Sequence, residues 1–499
     1  MEEKDQKLYR RNKWVFGITG VGRNITYSVV TQYLLIFLTV GVGLTDTALT
    51  VIGVILIALR LFDAVNDPIM GFFIDNTRSK WGKFKPWIAI GGLLSVMFFV
   101  LLFIDYKSVF HMSEAGYTVL FFVIYFLFGI AFTVNDTAYY GILPSLTTDN
   151  REREKLTTLT NAFAGLSLFA AVAVPPLIYG ADGVGVDRGM MIVALSFGAV
   201  FVVSQAVLLK FVKPQYDSIT GKADRFKLKD VAKVLFKNDQ LLVVAISFLL
   251  FQTAYFLTNG FGIYFFQFIM GSYGKADFTI FVVVLGIAQL LGLVTYRFFS
   301  AKLSFRKIFF VAVVAMTVGY VLFLLVGKVV FLPKNIIVVG IIGFVLLYAI
   351  SLIIVMMNVL IADTIEYGQW KNGIRSESTI FAVKTFIAKF SGAVQVGSIT
   401  LVLALSGLNR ILKAVSDMDK AGAGSEKIRV YIAEQMTLSP SLESVLRIAM
   451  ALVPLLLVIA SYLIFRFKHK LTEEKYDEII KELREQNEAI NKNEVKDEK

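Results

Sequence analysis

The sequence predicts an all-α integral membrane protein, with twelve transmembrane helices arranged in two six-helix halves. Hydrophobic residues make up 56% of the 499 residues, and the mean hydropathy is +0.69. A soluble core cannot absorb so much apolar surface, whereas a lipid bilayer can. Apolar runs of membrane-spanning length also recur along the whole chain. The predicted spans lie near residues 14–40, 48–75, 87–105, 114–146, 156–180, 189–212, 241–270, 277–299, 308–331, 336–364, 378–407 and 444–467.

The loops between the spans predict orientation and domain organisation. Lys and Arg concentrate in every second loop, as they do in cytoplasmic loops, so both termini are expected in the cytoplasm. The segment 408–440 departs from this pattern, because it is expected outside yet carries several basic residues; its run 426–436 is expected to form a short surface helix. The expected parts are a cytoplasmic N-terminus at 1–13, an N-terminal half at 14–212, a cytoplasmic linker at 213–240, a C-terminal half at 241–467 and a charged, helical cytoplasmic tail at 468–499.

The composition argues against several classes of function. The chain has no cysteine, which excludes disulfides and thiolate metal sites, and only two histidines, which argues against zinc chemistry and histidine-based catalysis. The net charge of +12 comes from the loops, so it does not call for a nucleic-acid partner. No nucleophile–base pair or phosphate loop occurs among the intramembrane polar residues, so we expect neither an enzyme nor a cofactor.

One stretch of the second span places polar side chains where lipid would favour apolar ones. Arg60, Asp63, Asn66 and Asp67 fall on one helical face. Intramembrane acids are costly, and they usually face a wet cavity where they carry ions or protons. Two carboxylates and an amide offer oxygen ligands that suit a small cation such as Na+. The alternative interpretation is a salt bridge between Arg60 and Asp63, which leaves Asp67 unexplained.

The same stretch begins a series of motifs. Asp63–Gly71, followed by Arg78–Trp87, resembles the signature of the glycoside–pentoside–hexuronide:cation symporter family, within the major facilitator superfamily. The resemblance continues through Asn135 and Asp136 and ends near Lys389, so it covers nearly the whole chain except the tail. Further matching motifs lie at Asn150–Glu154, Ala362–Gly368 and Gly373–Ser378. The resemblance implies two related helical halves with a substrate site near the bilayer midplane.

The resemblance also implies two sites. The cation site would consist of Asp63, Asn66, Asp67 and Thr133, with Asp63 and Asp67 as the metal ligands if the ion is Na+. The residues implied for the sugar site are Arg23, Asn24, Asp136, Tyr140, Lys384 and Lys389.

Three of these residues have specific expected roles. Asp136 matches an acid that hydrogen-bonds sugar hydroxyls, and a carboxylate suits this task because it accepts two charge-assisted bonds. Tyr140 stands where a member of the family has tryptophan; it would either stack on a sugar ring or pack within the bundle. Lys389 matches a lysine that neutralises the acid cluster across the interface between the halves.

Two positions depart from the family pattern. Asn24 stands where a member of the family has an acid that also grips the sugar, so galactoside specificity does not carry over. Lys384 stands where that member has an uncharged amide. This second lysine would bind a carboxylate-bearing substrate such as a uronide, pair with Asp136, or extend towards the membrane surface.

Charged residues at the predicted cytoplasmic ends suggest a gate. Ion pairs between the halves would hold the cavity shut on the inside, since networks of exposed pairs are stronger than single pairs. The predicted gate residues are Asp75, Arg78, Arg151, Arg153, Glu154, Asp363, Glu366, Arg375 and Glu377.

The sequence therefore predicts a symporter that imports a sugar, glycoside, pentoside or hexuronide with Na+ or H+ by alternating access. Its expected partners are the small-molecule sugar, a monovalent cation and the lipid bilayer, and it is expected to function as a monomer in a bacterial cytoplasmic membrane. Two alternatives stay open. One is a substrate sensor with a regulatory tail, and the other is a carrier of amphipathic or lipid-like molecules on the same scaffold.

Overall fold

The computed structural model describes residues 3–146, 150–180, 184–213, 237–373, 377–483 and 485. All regular structure in these ranges is helical, which confirms the predicted all-α class. The helices of the first part are α1 (Glu3–Ile36), α2 (Asp46–Asp75), α3 (Lys85–Leu102), α4 (Tyr106–Val109), α5 (Glu114–Gly141), α6 (Asn150–Tyr179) and α7 (Gly185–Phe211). Those that follow are α8 (Asp239–Tyr264), α9 (Asp277–Ser300), α10 (Phe305–Leu325), α11 (Ile336–Asn372), α12 (Glu377–Ser406), α13 (Leu408–Lys420), α14 (Ser425–Leu438), α15 (Pro440–Arg447), α16 (Val453–Lys468) and α17 (473–483).

Eleven helices of the described ranges are long and apolar enough to cross a membrane, which confirms a multi-span membrane protein. The helix α2, with 30 residues, corresponds to the remaining predicted span. The number of twelve spans and the orientation of the termini stay predictions. One boundary differs from expectation, since α1 begins at Glu3 and the N-terminal lead is continuous with the first span. No glycine or proline occurs between Glu3 and Phe16, so nothing there stops the helix.

The chain divides into two compact units, each of which is discontinuous in sequence. Unit 1 consists of Met1–Asp224, Gly262–Val283 and Val396–Leu446. Unit 2 consists of Arg225–Phe261, Val284–Gln395 and Arg447–Lys499. The division into halves at the central linker stays a prediction, and residues 214–236 of that linker lie outside the described residues.

Close helix packing in unit 1 sets the positions of α1 and α5. A Cβ atom built on Gly22 would lie 2.5 Å from the α-carbon of Phe201, so only glycine lets α1 approach α7 this closely. A Cβ on Gly91 would lie 2.7 Å from the backbone nitrogen of Asn135, so α3 and α5 approach each other similarly closely. A fully buried cluster that includes Phe16, Ala138 and Tyr139 then packs α5 against α1. This packing places the middle of α1 beside the C-terminal part of α5.

The segment after α12 contains more helix than the sequence predicted. The short surface helix expected at 426–436 is confirmed as α14. The helix α13 was not predicted, although Leu408, Ile411, Leu412 and Val415 follow helical spacing and are all buried. Both helices belong to unit 1.

The described part of the tail, α17, is a helix that packs against α11. Ile479 and Leu483 are buried together with Leu471, and they pack against Tyr367 and Trp370 near the end of α11. Residues 484 and 486–499 lie outside the described residues.

Candidate functional site

One face of α5 carries the residues around which the candidate site is built. Gly129, Thr133, Asp136 and Tyr140 are spaced by four, three and four positions, so they share one side of the helix. At 1.5 Å per residue, this stripe is about 16 Å long. We call it the α5 stripe. The helices α1 and α2 contact it at different heights.

Arg23 of α1 forms an ion pair with Asp136 of the α5 stripe. The arginine is 1% exposed, whereas the aspartate side chain is 40% exposed. A buried guanidinium requires compensation, and here one carboxylate supplies it from the open side. Asp136 therefore holds Arg23 in place and still presents accessible carboxylate surface to a ligand.

Two tyrosines complete the surroundings of Arg23. Its guanidinium carbon lies 4.4 Å from the ring centroid of Tyr139 and 4.7 Å from that of Tyr140, which adds cation–π stabilisation. Tyr139 is buried and donates a 2.6 Å hydrogen bond to the carbonyl oxygen of Phe16, so it has a packing role. Tyr140 is 42% exposed. Tyr140 therefore packs on Tyr139 and Arg23 while part of its ring stays accessible.

Asn24 lies next to this pair and is coupled to it. Its Oδ1 accepts a 3.1 Å hydrogen bond from the Arg23 guanidinium. Its Nδ2 is buried and has no hydrogen-bond partner among the described residues. Three predicted sugar-site residues, Arg23, Asn24 and Asp136, are thus brought together, with Tyr140 beside them. An amide donor without a partner is a group that a ligand hydroxyl would satisfy.

Asp63, one of the predicted cation ligands, lies where α2 packs on α5. A Cβ atom on Gly129 would lie 3.2 Å from Oδ1 of Asp63, so this carboxylate lies directly against the α5 stripe. Thr133, one turn along the stripe, is buried. Asn66 is 5% exposed, and its Nδ2 has no hydrogen-bond partner among the described residues. The side chain of Asp67 lies outside the described residues.

Arg60 has partners that the sequence did not predict. Its guanidinium donates to the Tyr27 hydroxyl at 3.0 Å and to the Thr31 hydroxyl at 3.4 Å, both on α1. Its charge also interacts with that of Asp63. The salt-bridge alternative therefore accounts for part of the environment of Asp63, while Arg60 also anchors α2 to α1 through two hydrogen bonds.

Asn135, which belongs to the same motif as Asp136, has a structural role. It is fully buried, and its Nδ2 donates to the Ile88 carbonyl at 2.9 Å and to Gln205 Oε1 at 3.1 Å. These bonds join α5 to α3 and α7. The hydrogen bonds keep the α5 stripe in a fixed rotation about the helix axis.

Unit 2 holds the two predicted lysines of α12. Lys384 and Lys389 are both partly accessible, and Lys389 takes part in at least one polar or electrostatic interaction. Unit 2 also contains a polar face on α8 that was not predicted from the sequence. Gln252, Tyr255 and Asn259 recur there at three- and four-residue intervals, which is the pattern that would have revealed it.

Most of the predicted gate lies outside the described side chains. This holds for Asp75, Arg151, Arg153, Glu154 and Glu377, and for Arg375 as a whole residue. Arg78 is exposed. Asp363 and Glu366 interact with each other as like charges, and Glu473 of α17 adds a third. These three acids would attract cationic partners to the side of α11 that carries Asp363.

An accessible ion pair and an aromatic ring lie along the α5 stripe, and the candidate oxygen ligands belong to α2 and α5. A carboxylate and an adjacent aromatic ring suit a polyhydroxylated ring, and carboxylate, amide and hydroxyl groups suit a small cation.

Comparison with known proteins gives a family match and several relatives. The family profile described as MFS/sugar transport protein matches residues 15–473. The lactose permease of Leuconostoc lactis is 28% identical over 505 aligned residues, which cover 97% of this chain and 74% of that protein. The isoprimeverose transporter of Lactiplantibacillus pentosus is 26% identical over 404 residues, which cover 79% of this chain and 80% of that protein.

A solved structure shares the fold. It is that of a bacterial homolog of the human lysosomal transporter Spinster, in an inward-facing and unoccupied conformation. The two structures align with a TM-score of 0.60 at 12% identity, over 94% of this chain and 98% of the other. At this identity the likeness concerns the fold alone.

Proposed function

The chain belongs to the MFS/sugar transport protein family, and we propose that it is a secondary active symporter that imports a sugar or glycoside together with Na+ or H+ by alternating access. The observation that carries the proposal is the α5 stripe. Thr133, a predicted cation ligand, and Asp136, a predicted sugar ligand, lie three residues apart on the same helical face. Any shift of α5 that accompanies binding at one of these positions must act on the other.

The cation would bind first, at Asp63, Asn66, Asp67 and Thr133. Its positive charge would offset the repulsion between the two carboxylates and draw α2 onto the α5 stripe. Asp136 and Tyr140 would thereby be held in position for the sugar. Coupling of this kind is reciprocal and typically amounts to about 1–3 kcal/mol, so each ligand would raise the affinity of the other.

The sugar would bind at Asp136, Tyr140, Arg23 and Asn24. The exposed surface of Asp136 would accept hydrogen bonds from neighbouring hydroxyl groups, and the ion pair with Arg23 would orient this carboxylate. The accessible ring of Tyr140 would cover the apolar face of the sugar. Since the two relatives described above are named for lactose and for isoprimeverose, which are uncharged sugars, we propose a neutral glycoside as the substrate class.

Lys384 and Lys389 of α12 are the remaining residues proposed to bind the substrate. A half-buried lysine such as Lys384 favours a second substrate class, a glycoside that bears a carboxylate. The predicted gate residues around Arg78 and Arg375 would close the cytoplasmic side during the cycle, in a protein that works as a monomer in the cytoplasmic membrane.

Uptake into energy-depleted membrane vesicles tests the proposal. Labelled neutral glycosides, pentosides and uronides would each be offered with an imposed Na+ gradient, a proton gradient or no gradient. We expect accumulation of one substrate class with one gradient. Asp67→Asn should abolish accumulation but leave sugar exchange, because exchange needs no net cation movement. Full accumulation by this variant would refute the cation-site assignment, and absence of gradient-driven uptake for every sugar would refute the function.

The docked tail favours a second candidate, a sensor that reports substrate occupancy. Glu482 accepts a 2.6 Å hydrogen bond from the Trp370 indole, and Glu473 accepts one of 2.6 Å from the backbone N–H of Phe305. The tail therefore contacts the ends of two spanning helices. Removal of residues 470–499 separates the two candidates, since a sensor would lose its regulatory response while uptake continued unchanged.

A further inference from the structure

The helix α8 of unit 2 has two accessible faces of opposite character. One carries apolar side chains such as Ile246, which suits contact with lipid. The other carries Gln252, Tyr255, Phe256 and Asn259, all partly accessible. Amide and phenol groups are costly in hydrocarbon, so an accessible polar face on a spanning helix belongs to a water-filled cavity.

The polar face of α8 is organised around Tyr255. Gln289 of α9 donates a 2.8 Å hydrogen bond from Nε2 to the Tyr255 hydroxyl, and the side chain of Asn259 hydrogen-bonds the same phenol. Oε1 of Gln252 is buried without a hydrogen-bond partner among the described residues. The Tyr255 and Phe256 rings meet edge to face with centroids 5.9 Å apart. The group is uncharged and offers donors, acceptors and an aromatic wall.

We propose that Tyr255, Asn259, Gln289 and Gln252 form a sugar subsite that recognises uncharged hydroxyl groups. This inference rests on the proposed sugar transport. The charged group around Asp136 would bind hydroxyls through its carboxylate, whereas these amides would pair with hydroxyls as both donors and acceptors. A site built from such neutral groups discriminates against analogues that lack the hydroxyl, because its amides would then be left unpaired.

The test compares transport kinetics of Gln289→Leu and Asn259→Ala with those of the parent protein. Each variant should raise KM for the transported glycoside about 2- to 10-fold, the usual effect of one neutral hydrogen bond. At saturating glycoside the activating cation concentration should be unchanged. Thr258→Val is the matched control. Thr258 also lies on α8, and the substitution removes its buried 2.8 Å hydrogen bond to Tyr320 of α10. This variant should lose thermal stability without a change in KM.

Unchanged KM in both subsite variants would overturn the subsite. If Gln289→Leu behaved like the control and lost only stability, the bond to Tyr255 would be a link between helices and nothing more. Failure of the parent protein to transport any sugar would instead count against the proposed function, so the two failures are distinguishable.

A second, independent set of interactions concerns α13. In the chain α13 follows α12, which belongs to the predicted C-terminal half. In the structure α13 nevertheless packs within unit 1, against the ends of N-terminal helices. The Lys420 ammonium donates three hydrogen bonds, to the Asp105 carboxylate at 2.7 Å, the Ser108 hydroxyl at 3.0 Å and the Val42 carbonyl at 3.2 Å. These three acceptors come from two loops that the charge pattern predicts on one side of the membrane.

Further polar interactions repeat the pattern along α13. Asp419 accepts a 2.8 Å hydrogen bond from the backbone N–H of Val186, at the start of α7. Asn409 donates a 3.2 Å hydrogen bond to the carbonyl of Leu44. The partners of α13 therefore lie at the ends of the N-terminal spans. The ion pair with Asp105 also explains one basic residue of the segment 408–440, because an acid on the same side compensates Lys420.

We propose that α13 is a latch that closes this end of unit 1 and releases it during transport. The apolar face of α13 is buried, and its polar contacts include an ion pair between partly exposed Lys420 and buried Asp105. Loss of the Lys420 charge would leave the buried Asp105 carboxylate without its cation, so this ion pair is the contact through which the latch can be weakened. The absence of cysteine in the chain allows a direct test with introduced thiols.

The first measurement uses Ser416→Cys and a membrane-impermeant maleimide. Ser416 is fully buried, and its hydroxyl makes no hydrogen bond within the described residues, so the substitution is conservative. Labelling should be slow in the parent background and several-fold faster when Lys420→Ala weakens the latch. Lys413→Ala, which removes an exposed charge from the same helix, should leave the rate unchanged. Equal rates in both backgrounds would overturn the latch.

The second measurement cross-links α2 to α12, the helix that precedes α13 in the chain. A Cβ atom on Gly53 would lie 2.9 Å from the Cβ of Thr400. A disulfide places its two Cβ atoms about 3.8 Å apart, so a backbone shift of about 1 Å would allow a disulfide in the double variant Gly53→Cys, Thr400→Cys. Oxidation of the double variant should stop transport, and a reductant should restore it, while neither single variant should respond to oxidant. Full transport by the cross-linked protein would show that α2 and α12 do not separate here during transport, and it would count against the latch.

Discussion

Gly129→Ala is expected to weaken cation binding although it changes no cation ligand. The added Cβ would lie 3.2 Å from Oδ1 of Asp63, which is tighter than ordinary van der Waals contact, so either the carboxylate or the helix α5 must move. Both candidates for movement belong to the proposed cation site. The substitution therefore tests whether the packing of Asp63 on the α5 stripe is part of that site.

The size of the effect follows from the packing. Overpacking of a close contact typically costs about 1–3 kcal/mol. If this cost falls on the cation-bound arrangement, the half-activating cation concentration should rise about 5- to 150-fold, at a factor of ten per 1.4 kcal/mol. Alanine is also a better helix former than glycine by about 1 kcal/mol, so destabilisation of α5 itself cannot account for a loss of affinity.

The assay is sugar uptake in membrane vesicles as a function of the external cation concentration. Gly71→Ala is the matched control, since its Cβ would lie 4.0 Å from the Thr137 methyl group, an ordinary distance between the same two helices. We expect a large shift for Gly129→Ala and little change for the control. Equal cation dependence in the parent and in Gly129→Ala would refute the reasoning, and equal losses in both variants would assign the effect to general helix packing.

Three further predictions follow from other sites. Asp136→Asn should abolish sugar binding and lower the melting temperature, because it removes the charge that compensates buried Arg23; full binding affinity in this variant would contradict the assigned role. Burial and the nearby Arg306 lower the pKa of His469 from 6.5 to about 4. Between these pH values the folded protein therefore binds fewer protons than the unfolded chain. A free energy of unfolding of about 3 kcal/mol, present above pH 6.5, should be lost as the pH falls to 4. Thermal unfolding in detergent would measure this loss, and His469→Phe should remove it; an unchanged pH profile in that variant would exclude the histidine as the cause. Arg375→Gln should slow net uptake more than sugar binding if the predicted cytoplasmic gate exists, and normal turnover would remove that hypothesis.

Several features could be predicted from single-helix patterns. Hydropathy predicted a multi-span helical protein because a spanning helix must be apolar over a length that the bilayer sets. Residue spacing predicted that Asp63 and Asn66 share a face, and the motifs drew attention to Asp136 and Tyr140. Spacing within one helix is a local property, so it can be read without knowledge of the neighbours.

Other features depended on which helices meet. Nothing local indicates that Arg60 hydrogen-bonds α1, that Asn135 joins three helices, or that Gly129 leaves room for the carboxylate of Asp63. Such interactions arise between residues far apart in sequence, and many alternative pairings share the same local patterns.

The sequence by itself thus determined the membrane class, the family resemblance and the chemistry that each spanning helix carries. Only the tertiary structure decided that Arg23 is the partner of Asp136, that Tyr140 is accessible while Tyr139 is buried, and that α13 packs against the ends of N-terminal helices. The physical reason is that periodicity determines which residues share a face of one helix, whereas close packing determines which helices contact each other. Small residues such as Gly22 and Gly91 permit that close packing at particular points.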